Sequence, residues 1–104
     1  MDATLILSTT DSMDLARKIA DALVSAGEAA CVNILSGIRS VYRWEGKICD
    51  EGEFLLLIKS SADRFEAVRS RIRKLHTYQV PEIIAVPIQA GDPDYLGWLA
   101  TAVR

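Results

Sequence analysis

The sequence predicts an α+β fold: a ferredoxin-like βαββαβ sandwich with a C-terminal helix, its helices on one face of an antiparallel sheet. Three observations carry this. Apolar positions switch between strand-like runs and helical periodicity in the order strand, helix, strand, strand, helix, strand. A tight-turn signal, Glu45-Gly46, joins the two middle strands. The 104 residues, half of them apolar and a quarter charged, suit a single domain over 1–104 with one core.

Each element has its own signal. Ala3 to Thr9 (ATLILST) is a short apolar run suited to a buried strand, and Asp11 or Ser12 can cap the first helix. From Leu15, apolar positions 15, 16, 19, 20 and 23 repeat on one helical face, and Gly27 closes the segment. Ala29 to Trp44 is rich in β-branched and aromatic residues, with Ser36-Gly37 as a bend or bulge. Lys47 to Lys59 returns as the next strand. Ser60 stands three residues before Asp63, the spacing of a helix N-terminus. Phe65, Val68, Ile72 and Leu75 then mark one helical face, while Pro81 forces Val80 to be extended and ends the segment. Ile83 to Ile88 forms the last strand, and Asp92-Pro93 opens a helix through Leu96 and Leu99.

The hairpin turn places Tyr42 opposite Cys49. Cys31 lies eleven residues further along the same strand, roughly 35 Å at ~3.3 Å per residue. A disulfide needs Cα atoms within about 7 Å, so two free thiols are expected.

The middle strands are long for the chain. A domain of this size has a radius of gyration near ~13 Å and hence a diameter of roughly 33 Å. A strand from Ala30 to Trp44 measures about 50 Å at ~3.3 Å per residue. The hairpin tip must therefore overhang the domain, and it carries Val41, Tyr42, Trp44 and Ile48. An isolated two-stranded ribbon with exposed aromatics is marginal and prone to aggregate, so pairing with copies of the same chain is expected.

Several function classes find no support. The net charge of −2 gives no electrostatic case for nucleic acid or an anionic membrane. Arginines and lysines from Arg64 to Lys74 read as a solvated helix face, because FLLLIKS lacks the stacking aromatics of an RNA-binding sheet. One histidine, no glycine-rich phosphate loop and no nucleophile beside a base leave no catalytic constellation. MDATLILSTT has no basic region ahead of its apolar run, so a cytoplasmic location is expected.

The segments ARKIADALVSAGEAACVNI, IRSVYRWEGKI, EFLLLIKSS, HTYQVPEIIAVPI and GDPDYLGWL occur in an order and at spacings that closely resemble the CutA family, small proteins associated with divalent-cation tolerance. The resemblance covers about Leu5 to Leu99. It implies a homotrimer built by strand pairing, a likeness in architecture to the PII signalling proteins, and binding of copper or another divalent cation, with no enzyme activity and no required cofactor. The chain departs from the family pattern at Ser8, where some members have cysteine, at Thr77, where many have proline, and in VRSRIRKLH, which has no cysteine. A multi-thiolate copper site is therefore not carried over.

His76, a neutral imidazole donor, is the leading metal-ligand candidate, with Glu82 and with Cys31 in the family's Ala-Ala-Cys-Val stretch. The competing readings are a histidine bonded to backbone at a helix end and a buried, inert thiol. One histidine is too few ligands, so a firm site needs groups from a neighbouring protomer or water. Tyr78, Lys59 and Glu53 are candidates for a cleft between protomers, with structural ion pairs the alternative for Lys59 and Glu53. Tyr42, Trp44 and Trp98 are candidate oligomer-interface residues. The alternative function is a PII-like signalling protein that binds a small metabolite in that cleft and acts on an unidentified protein partner.

Overall fold

A computed structural model describes all residues 1–104. The chain runs β1 (Ala3–Thr10), α1 (Met13–Ser25), β2 (Cys31–Trp44), β3 (Lys47–Ser61), a 3-10 turn (Ala62–Arg64), α2 (Phe65–Leu75), β4 (Ile83–Pro87) and α3 (Pro93–Ala102). The strands form one antiparallel sheet in the order β2-β3-β1-β4. This is the split βαβ arrangement expected from the pattern.

Side-chain alternation divides the sheet. Ile6 faces Ile58 across the β1–β3 ladder and Ser8 faces Leu56, and α1 and α2 cover this side with Ala16, Ile19, Leu23, Val68 and Ile72. These residues, except Ser8, belong to one fully buried cluster. On the opposite side the ladders place Leu5, Leu7, Leu55, Leu57, Ile84 and Val86 together. None of the six is fully buried, and Ile84 and Val86 are half exposed. An apolar sheet face is thus left without a cover of its own.

The ends of the elements follow local chemistry. Ser12 Oγ accepts from the Leu15 N–H and starts α1. Asp92 accepts from the N–H groups of Asp94 and Tyr95 ahead of Pro93 and starts α3. Ser60, in contrast, does not open a helix. It pairs with Thr4 inside β3, is fully buried, and its Oγ donates to the Glu28 carbonyl at 2.6 Å. Strand pairing continues through Ser61, whose hydroxyl bonds the Asp63 carboxylate, so the chain enters α2 through a 3-10 turn. β2 begins at Cys31 rather than Ala29, because the Ala29 N–H is tied to the Leu23 carbonyl at the end of α1.

The hairpin has the expected register, with Trp44 opposite Lys47 and Tyr42 opposite Cys49. Glu45 and Gly46 have φ of 49° and 78°, the two positive values of a type I′ turn. Between Leu35 and Ile38 the register slips, and Ser36 and Gly37 bulge, with Gly37 at φ 80°. Both cysteines are free thiols.

β1 ends opposite Phe54, so Lys47 to Glu53 pair only with β2 and the hairpin projects as a two-stranded ribbon. The protomer is accordingly elongated, 44 × 25 × 22 Å, with a radius of gyration of 14.1 Å. Val41, Tyr42, Trp44 and Ile48 are all exposed on the ribbon.

A candidate binding cleft at the root of the hairpin

α2 stops at His76, whose backbone turns extended (φ −72°, ψ 145°) while its N–H still donates to Ile72. This turns the imidazole toward the end of β1. Its Nε2 lies 2.7 Å from the Thr9 carbonyl, and its Nδ1 accepts from the Tyr78 N–H at 3.1 Å. A carbonyl can only accept and an amide can only donate, so these partners select the neutral tautomer with its proton on Nε2. The ring also lies against Tyr78, with centroids 4.5 Å apart.

Tyr78 extends the chain of contacts. Its hydroxyl donates to Glu53 Oε2 at 2.5 Å, and Glu53 is only 6% exposed. Burial raises the Tyr78 phenol above its ordinary value, with the Glu53 hydrogen bond and the charges of Glu53 and Asp11 acting in the same direction. Tyr78 is therefore a neutral donor at physiological pH. On the ribbon, the Tyr42 hydroxyl donates to Glu51 at 3.2 Å, and desolvation together with Glu51 pushes its phenol up to about 12.

Around this relay lies an open cleft of about 620 Å³. Thr9, Tyr42, Trp44, Glu53, Tyr78 and Glu82 are among the residues that line it. Tyr42 and Trp44, singled out by sequence as interface residues, thus share a cleft with Tyr78, Glu53 and Glu82. A second hollow of about 740 Å³, between α3 and the start of β1, contains none of the candidate residues.

Other candidates lie apart. Lys59 sits opposite Leu5 and bonds the Asn33 side chain, four positions along β3 from the Leu55 that faces Thr9, a separation of about 13 Å at ~3.3 Å per residue. It does not line the cleft, and neither it nor Glu53 forms an ion pair within the chain. Cys31 faces Lys59, far from His76 along the sheet, with its Sγ 4.0 Å from Asn33 Oδ1. Burial raises the Tyr95 phenol, as does the neighbouring Cys31 thiol. Trp98, on α3, packs its ring against Tyr95 at 5.6 Å and is 47% exposed. His76, Cys31 and Glu82 therefore do not converge, and no three His, Cys, Asp or Glu side chains of one protomer are grouped to hold a metal ion. Sequence reasoning missed Thr9. STTDS marks the end of β1, but no residue pattern says which carbonyl a distant imidazole will meet.

Comparison with known proteins agrees with this architecture. The family model for the "CutA1 divalent ion tolerance protein" matches residues 4–102. A divalent-cation tolerance protein CutA of Thermus thermophilus is 46% identical over 95 residues, covering 91% of this chain and 92% of the relative. One from Pectobacterium atrosepticum is 39% identical, covering 99% and 94%. The crystal structure of CutA1 from Oryza sativa superimposes with a TM-score of 0.97 at 38% identity, covering 100% of this chain and 95% of that one. None of these names carries an enzymatic activity. A match running from β1 to the end of α3, with the ribbon and the His76 segment inside it, leaves one assignment: the chain belongs to the CutA family of divalent-cation tolerance proteins.

Proposed function

We propose that the protein works as a homotrimer in divalent-cation tolerance and binds divalent ions, copper among them, at sites completed between protomers. One observation carries the reading: a single chain gathers no three metal-ligating side chains, yet it presents an apolar sheet face and an aromatic ribbon that both call for neighbours. Exposed apolar surface on that scale marks an interaction surface, and copies of the chain supply it by symmetry. The printed names of the relatives support a role with divalent cations.

Within one protomer both His76 ring nitrogens are already used. An ion reaching His76 has to displace a bond, and the 3.1 Å contact from the Tyr78 N–H is longer than the 2.7 Å contact to Thr9. Nδ1 is the atom it would take, with the remaining ligands from a neighbouring protomer or water.

The test is calorimetric titration of the assembled protein with copper(II), and with zinc(II) for comparison, on wild type and His76→Ala. Saturable binding with a fixed stoichiometry, lost in the mutant and weakened on acidification as protons compete for the imidazole, is expected. Binding unchanged in His76→Ala would contradict the assignment.

A second reading is favoured by the cleft. Its 620 Å³ lies within the ~300–1,000 Å³ range of small-molecule sites, and its walls combine aromatic rings with a few polar groups. In that reading the protein is a PII-like sensor whose metabolite changes how it meets a protein partner.

A further inference from the structure

We propose that Thr9, His76, Tyr78 and Glu53 form a hydrogen-bonded strap that ties the ribbon to the body of the protomer across a hinge at Ser36-Gly37. The strap fixes the angle at which the ribbon is offered to a neighbouring copy. This goes beyond the metal and metabolite readings above and takes from them only that copies of the chain assemble.

The hinge comes first. Support from β1 ends where Thr10 faces Phe54, and beyond that level the β2–β3 ladder resumes at Ile38 and Glu53. The register slips between Leu35 and Ile38, so the bulge lies where β1 stops and only two strands go on. A bulge interrupts the ladder and bends its strand, and a ribbon of two strands is marginal by itself. Gly37, at φ 80°, has nothing within 4 Å of the place a Cβ would occupy, so no packing holds the bend from that side. Backbone pairing alone leaves the ribbon's direction weakly held.

The strap is the second, independent observation. Arg39 bonds Asp50 and Tyr42 bonds Glu51, both within the ribbon. The only side-chain hydrogen bond that leaves residues 38–53 is the one Glu53 accepts from the Tyr78 hydroxyl at 2.5 Å. Glu53 is the first ribbon residue of β3 past the hinge and is 6% exposed, so water competes little for this bond. From Tyr78 the path returns to the sheet. Its N–H donates to His76 Nδ1, and His76 Nε2 donates to the carbonyl of Thr9, one residue beyond Ser8, where the β1–β4 ladder ends. The strap thus starts on β1 beside the hinge and ends on β3 just past it. Its four members belong to one chain, so it is complete before a neighbour arrives.

The consequence falls on assembly. The ribbon carries the exposed Val41, Tyr42, Trp44 and Ile48, and an interface element held in its final direction costs less to order on association. Thr9, His76, Tyr78 and Glu53 are positioning residues that act on assembly through the ribbon.

The experiment combines amide hydrogen exchange, read by mass spectrometry, with sedimentation equilibrium on the intact protein, with a chelator present so that no metal contributes. Tyr78→Phe keeps the ring beside His76 but removes the donor to Glu53. His76→Ala cuts the strap at its other links, so a folding defect in one variant leaves the other to decide. In both, the amides of residues 38–53 are expected to exchange on the order of tenfold faster, while those of β1 and residues 54–61 change much less. The concentration for half-assembly should rise in the same variants. Glu53→Gln retains an acceptor for the Tyr78 hydroxyl and should stay closer to wild type than Tyr78→Phe in both readouts. A merely structural role would raise exchange evenly across ribbon and sheet. That even rise, ribbon exchange unchanged in both strap variants, or a loosened ribbon with unchanged assembly would overturn the proposal. A wild type that is monomeric at every concentration would fail the assembly reading and the strap's role in it, and ribbon exchange would still judge the strap itself.

Discussion

Ser8 is fully buried on the helix-covered side of β1, and its Oγ has no hydrogen-bond partner. A buried hydroxyl left unpaired costs about 1–3 kcal/mol, so Ser8→Ala should leave the protein as stable or up to about 1 kcal/mol more stable in chemical denaturation. A clear loss of stability would show that Oγ has a partner. Tyr78→Phe does the opposite: it takes the only donor from the buried Glu53 carboxylate and should cost about 1–3 kcal/mol by the same measurement. The phenols also predict a response to alkali. Tyr42 ionises near 10 when unfolded but at about 12 in the fold, so its contribution is whole below pH 10 and is lost as pH rises toward 12. An ultraviolet phenolate titration of wild type against Tyr42→Phe checks this, and a Tyr42 that ionises at its unfolded value would contradict it. At this scale the sequence is only partly legible. KLHTYQVPEII shows a histidine leaving a helix, and the backbone-bonded reading of that histidine matches the contacts of both ring nitrogens. That Thr9 supplies one of them depends on a contact 67 residues away, which no local pattern encodes.

At the scale of elements, local chemistry is a better guide. Strand alternation and helical periodicity locate four strands and three helices because each amphipathic face is built from neighbouring residues. The Glu45-Gly46 turn and the Ser36-Gly37 bulge are visible for the same reason, since their φ angles are set by residues at the site. Ser60 departs from the helix-start expectation because its fate depends on β1. Pairing with Thr4 keeps it in the sheet, whatever its distance from Asp63. Two substitutions test this level. A Cβ on Gly46 meets open space, so Gly46→Ala should cost only the penalty of positive φ, about 1 kcal/mol, in chemical denaturation. Asp92→Ala removes a side chain that accepts from two N–H groups at the start of α3 and should cost about 1 kcal/mol. A neutral result for either would mean that the ribbon turn or α3 is held by contacts outside the chain.

For the whole molecule, the proposed assembly depends on the geometry of the sheet and the ribbon. A strand too long for its domain is legible from residue counts alone, and the 44 Å axis shows the overhang that they imply. What residue counts could not show is that the leucine-rich side of the sheet also lies uncovered, or that a cleft lined by the buried Glu53, hydrogen-bonded to Tyr78, lies at the ribbon's root. The uncovered apolar face leaves the isolated protomer with surface that a neighbouring copy would cover, as the proposed assembly requires. A charge placed on the open face, as in Leu57→Glu, should weaken the assembly while sparing the core that α1 and α2 form on the other side. The decisive experiment is the mass of the wild-type protein by sedimentation equilibrium at low concentration. A trimer, three times the 11.4 kDa chain, is the predicted result. A stable monomer would contradict it, because the uncovered face and the projecting ribbon would then stand in water without a partner.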